Sequence, residues 1–439
     1  MSDNITVIKP LEGPMHGSMR VPGDKSISHR AVLFSAMAEG TSRVSGVLDS
    51  ADVRSSIGAA RALGAQVSLE KQADGSLAGG ITGWGAAGPS QPAEPVDCGN
   101  SGTTVRLLMG ILAPWDIQVT LTGDSSLCKR PMRRITAPLM KMGARFLPEG
   151  CETLPITVHG GGLRPLTYDA PMASAQLKTA VLLAGMYASG TTTVNEPAPS
   201  RNHTELMLPE YGVATTAGAC TASVTGPAQP QAGEVLVPGD PSSAAFLACA
   251  AVLRPESSIQ IEDVSLNTAR IGFVRTLERM GAQVSVAHTS AAGKEPYGII
   301  EACHTPDLRG CEVPADKIAG IIDEIPVLAL VAAHAHGITV FRQVGELRVK
   351  ETDRLAAIMD GLAKLGVDAW CEGDDLYIEG QPGLQVPEGL EFDSLGDHRL
   401  AMTWSLVGLT GKVPVNIKDF EAVRVSYPGF LDDIERLAR

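Results

Sequence analysis

The sequence predicts an α/β protein of two domains, built from one repeated unit of strand, helix, strand, helix, strand and strand. Three observations predict it. The chain has 439 residues, too many for one core of ordinary size and enough for two that fold without staples. The tetrapeptide Val21-Pro22-Gly23-Asp24 returns at Val237 to Asp240 and, as Val, Pro, Ala, Asp, at Val313 to Asp316. After each copy comes a small-residue-rich apolar segment of helix length, a Gly or Pro stop and a β-branched strand, a layout that recurs roughly every 70 to 80 residues.

The elements follow in order. Ile5 to Ile8 reads as a strand with no place in the first unit, so it is expected to join the other half. Val96 to Thr122, Asp169 to Val194 and Phe392 to Ile417 share the layout without the tetrapeptide. Fourteen positions ahead of Gly40, Gly190, Gly337 and Gly411 stand Ser26, Gln176, Asp323 and Asp397, each polar and each at the front of a predicted helix. The second unit has Gly99, Asn100, Ser101, Gly102 and Thr103 at the same place, an entrance rich in free N–H groups. A second, amphipathic helix in each unit ends at a glycine: Asp52 to Leu63, Pro131 to Met142, Ser200 to Tyr211, Thr268 to Met280 and Asp353 to Leu365, with Pro428 to Leu437 closing the chain. Asp74 to Pro95, rich in Gly and Pro, reads as a loose hairpin connection inside the first unit. Three units per half place the division near Val237 to Asp240.

Composition narrows the function. A net charge of -13 and an aromatic content of 4% argue against nucleic acid and anionic membrane, which demand a basic face. No apolar run is long enough to span a bilayer, and Met1 to Pro10 lacks the features of a signal peptide, so a cytoplasmic location is expected. The eight cysteines form no CxxC pair and read as reduced thiols, not zinc ligands or disulfides.

Cations gather where helices begin. The first unit offers Lys25 and Arg30, the second Lys129, Arg130, Arg133 and Arg134, the third Lys178 and Arg201. The second half adds Arg348, Lys350 and Arg354, then His398 and Arg399. One arginine at such a place is ordinarily a solvated charge. Recurrence at equivalent places points to a shared anion site, because helix N-termini favour anions and arginine forks bind carboxylate or phosphate bidentately. Acids stand among them: Asp323 and Glu324 before Pro326, and Glu351 between Lys350 and Arg354. A carboxylate so placed can accept a proton from a hydroxyl within reach. Gly23-Asp24-Lys25-Ser26 is a near miss to a P-loop, but Asp24 would repel phosphates and Gly17 is one residue too distant.

Taken together, these motifs resemble the 5-enolpyruvylshikimate-3-phosphate synthase family over essentially the whole chain. The matching stretches are GDKSISHR (Gly23 to Arg30), GNSGT (Gly99 to Thr103), KRPM (Lys129 to Met132), SAQLK (Ser174 to Lys178), Asp323-Glu324, RVKETDRL (Arg348 to Leu355) and DHR (Asp397 to Arg399). The resemblance implies a two-domain inside-out α/β barrel of six βαβαββ units. Its crossovers near Val21 and Asp240 make residues 21–239 one domain and 1–20 plus 240–439 the other. It implies transfer of the enolpyruvyl group of phosphoenolpyruvate to the 5-hydroxyl of shikimate 3-phosphate by a monomer, with no cofactor and no metal. By motif, Lys25, Ser26, Arg30, Ser174, Gln176, Arg201, Asp323 and Lys350 look like ligands of shikimate 3-phosphate. Lys25, Gly102, Arg130, Gln176, Arg354 and Arg399 look like the phosphoenolpyruvate site. Asp323 resembles the base for the 5-hydroxyl, and Glu351 with Lys25 the other proton-transfer groups.

Within the family the chain looks like the second branch, on SAQLK and on Arg201, His203 and Glu205 in RNHTE. That branch's Asn, X, Thr, Arg pattern is approximated by Asn267 to Arg270. The better-known branch has serine, asparagine and lysine where this chain has Ala175, Glu346 and Val425, with Arg424 the cation nearest the last. Gly102 stands where tolerant members carry alanine, so sensitivity to glyphosate is expected. Two rivals remain: the enolpyruvyl transferase acting on UDP-N-acetylglucosamine, whose reactive cysteine Cys128 would match with the wrong spacing, and the RNA 3'-phosphate cyclases, which should show a basic face. If Val21 to Asp24 is a hinge, substitutions at Pro22 or Gly23 should disturb turnover more than stability.

Overall fold

In the computed structural model, which describes residues 4–439, the chain divides into two compact units. The N-terminal unit comprises Gly23–Pro238 with Ala291–Glu295, and the C-terminal unit comprises the chain up to Pro22, Gly239–Ser290 and Pro296–Arg439. The short Ala291–Glu295 segment, expected with the second half, thus belongs to the first.

Each unit is organised around three helices that are buried nearly all round. In the N-terminal unit these are Lys25–Met37, Gly102–Leu112 and Ala175–Gly185; in the C-terminal unit, Pro241–Leu253, Ile325–Ala333 and His398–Thr410. Their sequences explain the burial: Ile325–Ala333 reads IPVLALVAA and has no polar face to offer water. Sheets lie outside these helices, giving the inside-out α/β architecture. Five sheets have four strands and one pattern, illustrated by Val96–Asp97, Gln118–Thr122, Ile156–His159 and Arg145–Leu147. The first two strands are parallel, as a helical crossover requires, and the other pairings are antiparallel. The sixth sheet has three strands, and its edge is Ile5–Ile8 paired antiparallel with Val415–Lys418.

The two full tetrapeptides mark strand exchanges. His16–Arg20, which precedes the Lys25 helix, pairs in parallel with Ser258–Ser265. Glu234–Leu236, which precedes the Pro241 helix, pairs in parallel with Thr41–Val47. The Asp24 N–H donates to the Pro238 carbonyl at 2.7 Å, and the Asp240 N–H to the Pro22 carbonyl at 2.8 Å. Here the structure corrects an expectation about Gly23. A Cβ at that position would lie 1.9 Å from the Gly46 carbonyl oxygen, so any side chain there destabilises the fold directly.

Three further expectations shift. The third tetrapeptide copy is followed only by the short helix Ala315–Ile318, and the buried helix starts at Ile325, where Pro326 in its first turn fixes the start. Asp323 and Glu324 therefore sit at the end of a turn-rich entrance. Asp74 to Pro95 is more than a connection: Leu77–Thr82 within it is a strand paired with both Gln66–Lys71 and Thr41–Val47. Ser200 to Tyr211 forms the helix His203–Met207 and a 3-10 turn, Leu208–Tyr211, because Pro209 lacks the N–H that would continue the helix.

Candidate active site

In the N-terminal unit the three buried helices present their first turns with side chains already fastened. Asp24 caps the Lys25 helix by accepting the Ile27 N–H at 2.8 Å. Lys25 follows, with Nζ 2.5 Å from Asp52 at the start of Ala51–Ala62. One turn on, Arg30 is buried, with Nε donating to Thr204 at 2.9 Å, Nη1 to the Ser26 carbonyl at 3.0 Å and Nη2 to Thr179 at 2.8 Å. Burial lowers its pKa to about 10, against the pull of Glu205 and Asp24, and nearby Arg201 adds to the lowering. The two arginines thus lie close enough to repel, an arrangement that an anion relieves.

Three arginines, Arg106 of the helix itself and Arg130 and Arg134 of other segments, gather near the start of the Gly102 helix. Ser101 caps it, accepting from the Thr104 N–H at 3.1 Å. A Cβ on Gly102 would meet Arg106 Nη1 at 2.8 Å and Arg130 Nη1 at 3.4 Å, so two guanidinium groups bracket this helix start. Arg106 donates to Gln176 Oε1 at 2.8 Å and Arg134 to the same oxygen at 3.3 Å. Gln176 Nε2 donates back to Thr103 at 3.1 Å, and Arg130 donates to Asn100 at 2.6 Å. Ser174 caps the third helix, with its Oγ accepting the Leu177 N–H and its own N–H donating to Glu196.

Not every candidate of the sequence reading joins this group. Arg133 forms a largely exposed ion pair with Glu152. Lys178 does not face an anion site: it is buried, 2.9 Å from Glu196 and 2.8 Å from Glu205. Arg106 and Asp52 were not among the expected site residues. For Arg106 there was a signal, since it interrupts the otherwise apolar run VRLLMGIL, and a cation there must be satisfied inside the fold. Asp52 had none, because an acid in a first helical turn is ordinarily read as a dipole partner.

The C-terminal unit gathers its own cluster around Arg354, the first residue of Arg354–Lys364 and almost wholly buried. Arg354 Nε donates to Asp397 Oδ2 at 2.7 Å, Nη1 to Asp323 at 3.2 Å and Nη2 to Glu351 at 2.6 Å. Burial opposes the charge of Arg354, but Glu351, Asp397 and Asp323 outweigh it and hold its pKa above the ordinary arginine value. Arg399 donates to the Asp323 carbonyl at 3.1 Å and lies 3.7 Å from the carboxylates of Asp323 and Glu324. Lys350 donates to Glu346 at 2.7 Å and stands 4.0 Å from Asp323. Behind these, Arg270 donates to Asp240 at 2.9 Å and Ser242 at 3.0 Å, and Ser242 donates to Glu324. Within the Asn267 to Arg270 stretch, Asn267 and Arg270 are buried and Thr268 is exposed, so Arg270 acts as internal support. Arg424, mostly exposed, pairs with Glu421.

Among the described residues no group of His, Cys, Asp and Glu is arranged to hold a metal ion, and no helix is long and apolar enough to cross a membrane.

A sequence model described as EPSP synthase (3-phosphoshikimate 1-carboxyvinyltransferase) matches residues 11–434. The 3-phosphoshikimate 1-carboxyvinyltransferase of Bacillus pumilus is 43% identical over 427 residues, covering 97% of this chain and 98% of that protein. The enzyme of that name from Halorhodospira halophila is 44% identical over 426 residues, covering 97% and 94%. Among solved structures, an EPSP synthase from Acinetobacter baumannii superposes with a TM-score of 0.87 at 39% identity, covering 99% of this chain and 98% of that one. The enolpyruvyl transferase NikO from Streptomyces tendae shares the fold, with a TM-score of 0.78 at 20% identity over 99% and 98% of the two chains. The chain belongs to the EPSP synthase (3-phosphoshikimate 1-carboxyvinyltransferase) family.

Proposed function

We propose that this chain transfers the enolpyruvyl group of phosphoenolpyruvate to the 5-hydroxyl of shikimate 3-phosphate, releasing phosphate, in the shikimate pathway. The carrying observation is the family match over residues 11–434, a span that includes both of the polar clusters described above. In this reading the 5-hydroxyl oxygen attacks C2 of phosphoenolpyruvate while Asp323 takes the hydroxyl proton. A proton enters at C3 from the Lys25 and Glu351 pair of groups, giving a tetrahedral intermediate. Loss of phosphate from C2 and of a proton from C3 then restores the enol ether, so no electrons change hands.

Arg30, Ser26, Ser174, Gln176, Arg201, Asp323 and Lys350 hold shikimate 3-phosphate. Gly102, Arg130, Gln176, Arg354 and Arg399 hold phosphoenolpyruvate, and Lys25 serves both. The closeness of Arg30 to Arg201, and of Arg106 and Arg130 to Gly102, supports this reading, since like charges brought together in a protein favour the binding of an anion. Holding two small polyanions in reacting geometry is the main catalytic task.

The test is phosphate release from phosphoenolpyruvate with shikimate 3-phosphate or, separately, UDP-N-acetylglucosamine as acceptor. Release is expected with the first alone. Release only with the nucleotide sugar overturns the assignment.

A further inference from the structure

Two motifs of the N-terminal unit, SAQLK and RNHTE, are joined by one buried amine. Lys178, in the first turns of the Ala175–Gly185 helix, is only 4% exposed. Its Nζ lies 2.9 Å from Glu196 Oε2 and 2.8 Å from Glu205 Oε1. Glu196 is also engaged twice more: Oε1 accepts the Ser174 N–H at 2.8 Å, and Oε2 accepts the Ser200 hydroxyl at 2.8 Å. Ser174 opens the helix that carries Gln176, and Ser200 immediately precedes Arg201. On the other side Glu205 belongs to His203–Met207, where its neighbour Thr204 accepts from Arg30 and bonds Thr179 at 2.6 Å. Glu205 Oε2 is buried with no hydrogen-bond partner among the described residues, and Glu205 acts on the charge of Arg30.

We propose that Lys178 is a positioning residue for the acceptor: by neutralising Glu196 and Glu205 it fixes Ser174, Gln176 and Arg201 and keeps the Arg30 guanidinium in its bonds to Thr204, Thr179 and the Ser26 carbonyl, the orientation in which it serves the acceptor. The proposal rests on the functional reading above. Without the amine, two buried carboxylates lose the cation between them, and Arg30, on which Glu205 already acts, is a charge able to answer Glu205. Arg30 is then drawn off Thr204 and Thr179, and recognition of the acceptor suffers more than recognition of phosphoenolpyruvate, which shares Gln176 and Lys25 but whose other proposed ligands in this unit, Gly102 and Arg130, stand on other segments.

The experiment measures KM for each substrate, kcat and Tm in wild type, Lys178→Met, Glu205→Gln and the double variant. Lys178→Met should raise the KM for shikimate 3-phosphate about tenfold or more and that for phosphoenolpyruvate less than about threefold, the scale of an uncompensated buried charge acting through one neighbour. The double variant restores the cluster's net charge and should recover most of the loss. An unchanged acceptor KM, an equal rise in both KM values, or absence of recovery in the double variant overturns the proposal. Should Lys178→Met fail to fold, Glu205→Gln decides: it removes a carboxylate that Lys178 serves, and an unaltered ratio of the two KM values sinks the idea. A wild-type chain that releases no phosphate with this substrate pair brings down the functional reading itself.

Discussion

The arginines near the buried helix starts of the two units differ in the hydrogen bonds they make. In the N-terminal unit Arg106 and Arg134 rest on the amide oxygen of Gln176, and Arg130 rests on that of Asn100. A neutral amide orients a guanidinium without cancelling its charge. In the C-terminal unit Arg354 is spent on Asp397, Asp323 and Glu351, and Arg399 faces Asp323 and Glu324. Those carboxylates outnumber the cations among them. The first arrangement suits the anion site proposed for it. The second holds carboxylates still, as the proposed proton-transfer roles of Asp323 and Glu351 require, and Arg354 and Arg399 do so beside their proposed part in the phosphoenolpyruvate site. Both use arginine at helix starts, so the residue type alone does not tell binding from positioning. The partner does.

The sharpest way to break this comparison is to remove one arginine of each kind. Arg130→Ala should lower kcat/KM by about 10²- to 10³-fold, as loss of one charged donor in an anion site does, while Tm stays near that of the wild type. Lys25→Ala should lower kcat/KM alike, but it also takes from the buried Asp52 the cation beside it, so its Tm should fall as well. Arg354→Met should instead unfold the protein early, because it strands Asp397 in the interior; breaking a buried pair costs about 3 to 5 kcal/mol. Thermal unfolding and steady-state kinetics on the three variants separate the cases. A stable, merely slow Arg354→Met would show that its ion pairs are dispensable.

The sequence carried most of this, and the residues show where it stopped. Small-residue apolar runs, tetrapeptide copies and glycine stops made the six units legible, because they are local signals of helix burial and chain reversal. The polar helix starts at Ser26, Gln176, Asp323 and Asp397 were legible for the same reason. Partners across the chain were not. Lys178 looked like one more cation at a helix start, and only the fold brings it to Glu196 and Glu205, contributed by a loop and a different helix. Nor could periodicity show that His16–Arg20 and Glu234–Leu236 each pair with a strand far away in sequence, since pairing partners are not encoded by alternation.

The pH dependence of stability sharpens the picture of the N-terminal unit. His29 lies on the buried side of the Lys25 helix, its Nδ1 2.8 Å from the Ser56 hydroxyl, which in turn bonds Thr104 at 2.7 Å. Burial lowers its pKa from 6.5 to about 3, opposed by Asp52 and assisted by Lys25 and Arg30. The unfolded chain therefore binds this proton before the folded one does. Stability from the neutral ring is intact above pH 6.5 and is lost as pH falls from there towards about 3. The loss from this one group approaches about 1.4 kcal/mol per pH unit inside that window. Denaturant titrations at several pH values should show a shallower acid slope for His29→Gln than for wild type; parallel slopes would mean the ring already carries its proton in the fold.

Gly102→Ala makes the smallest and most local change to the comparison. Its methyl would arrive 2.8 Å from Arg106 Nη1, the far end of a flexible side chain that can retreat, so stability should hardly alter. The retreat moves a guanidinium bound to Gln176 and narrows the space between Arg106 and Arg130, where the proposed phosphoenolpyruvate site lies. A displaced but still charged donor weakens an anion's binding without abolishing it. The KM for phosphoenolpyruvate should rise about tenfold, close to the value of one neutral hydrogen bond, with the KM for shikimate 3-phosphate little changed and inhibition by glyphosate weakened. Equal changes in the two KM values would place Gly102 away from phosphoenolpyruvate and return the charge of Arg106 and Arg130 to the other substrate.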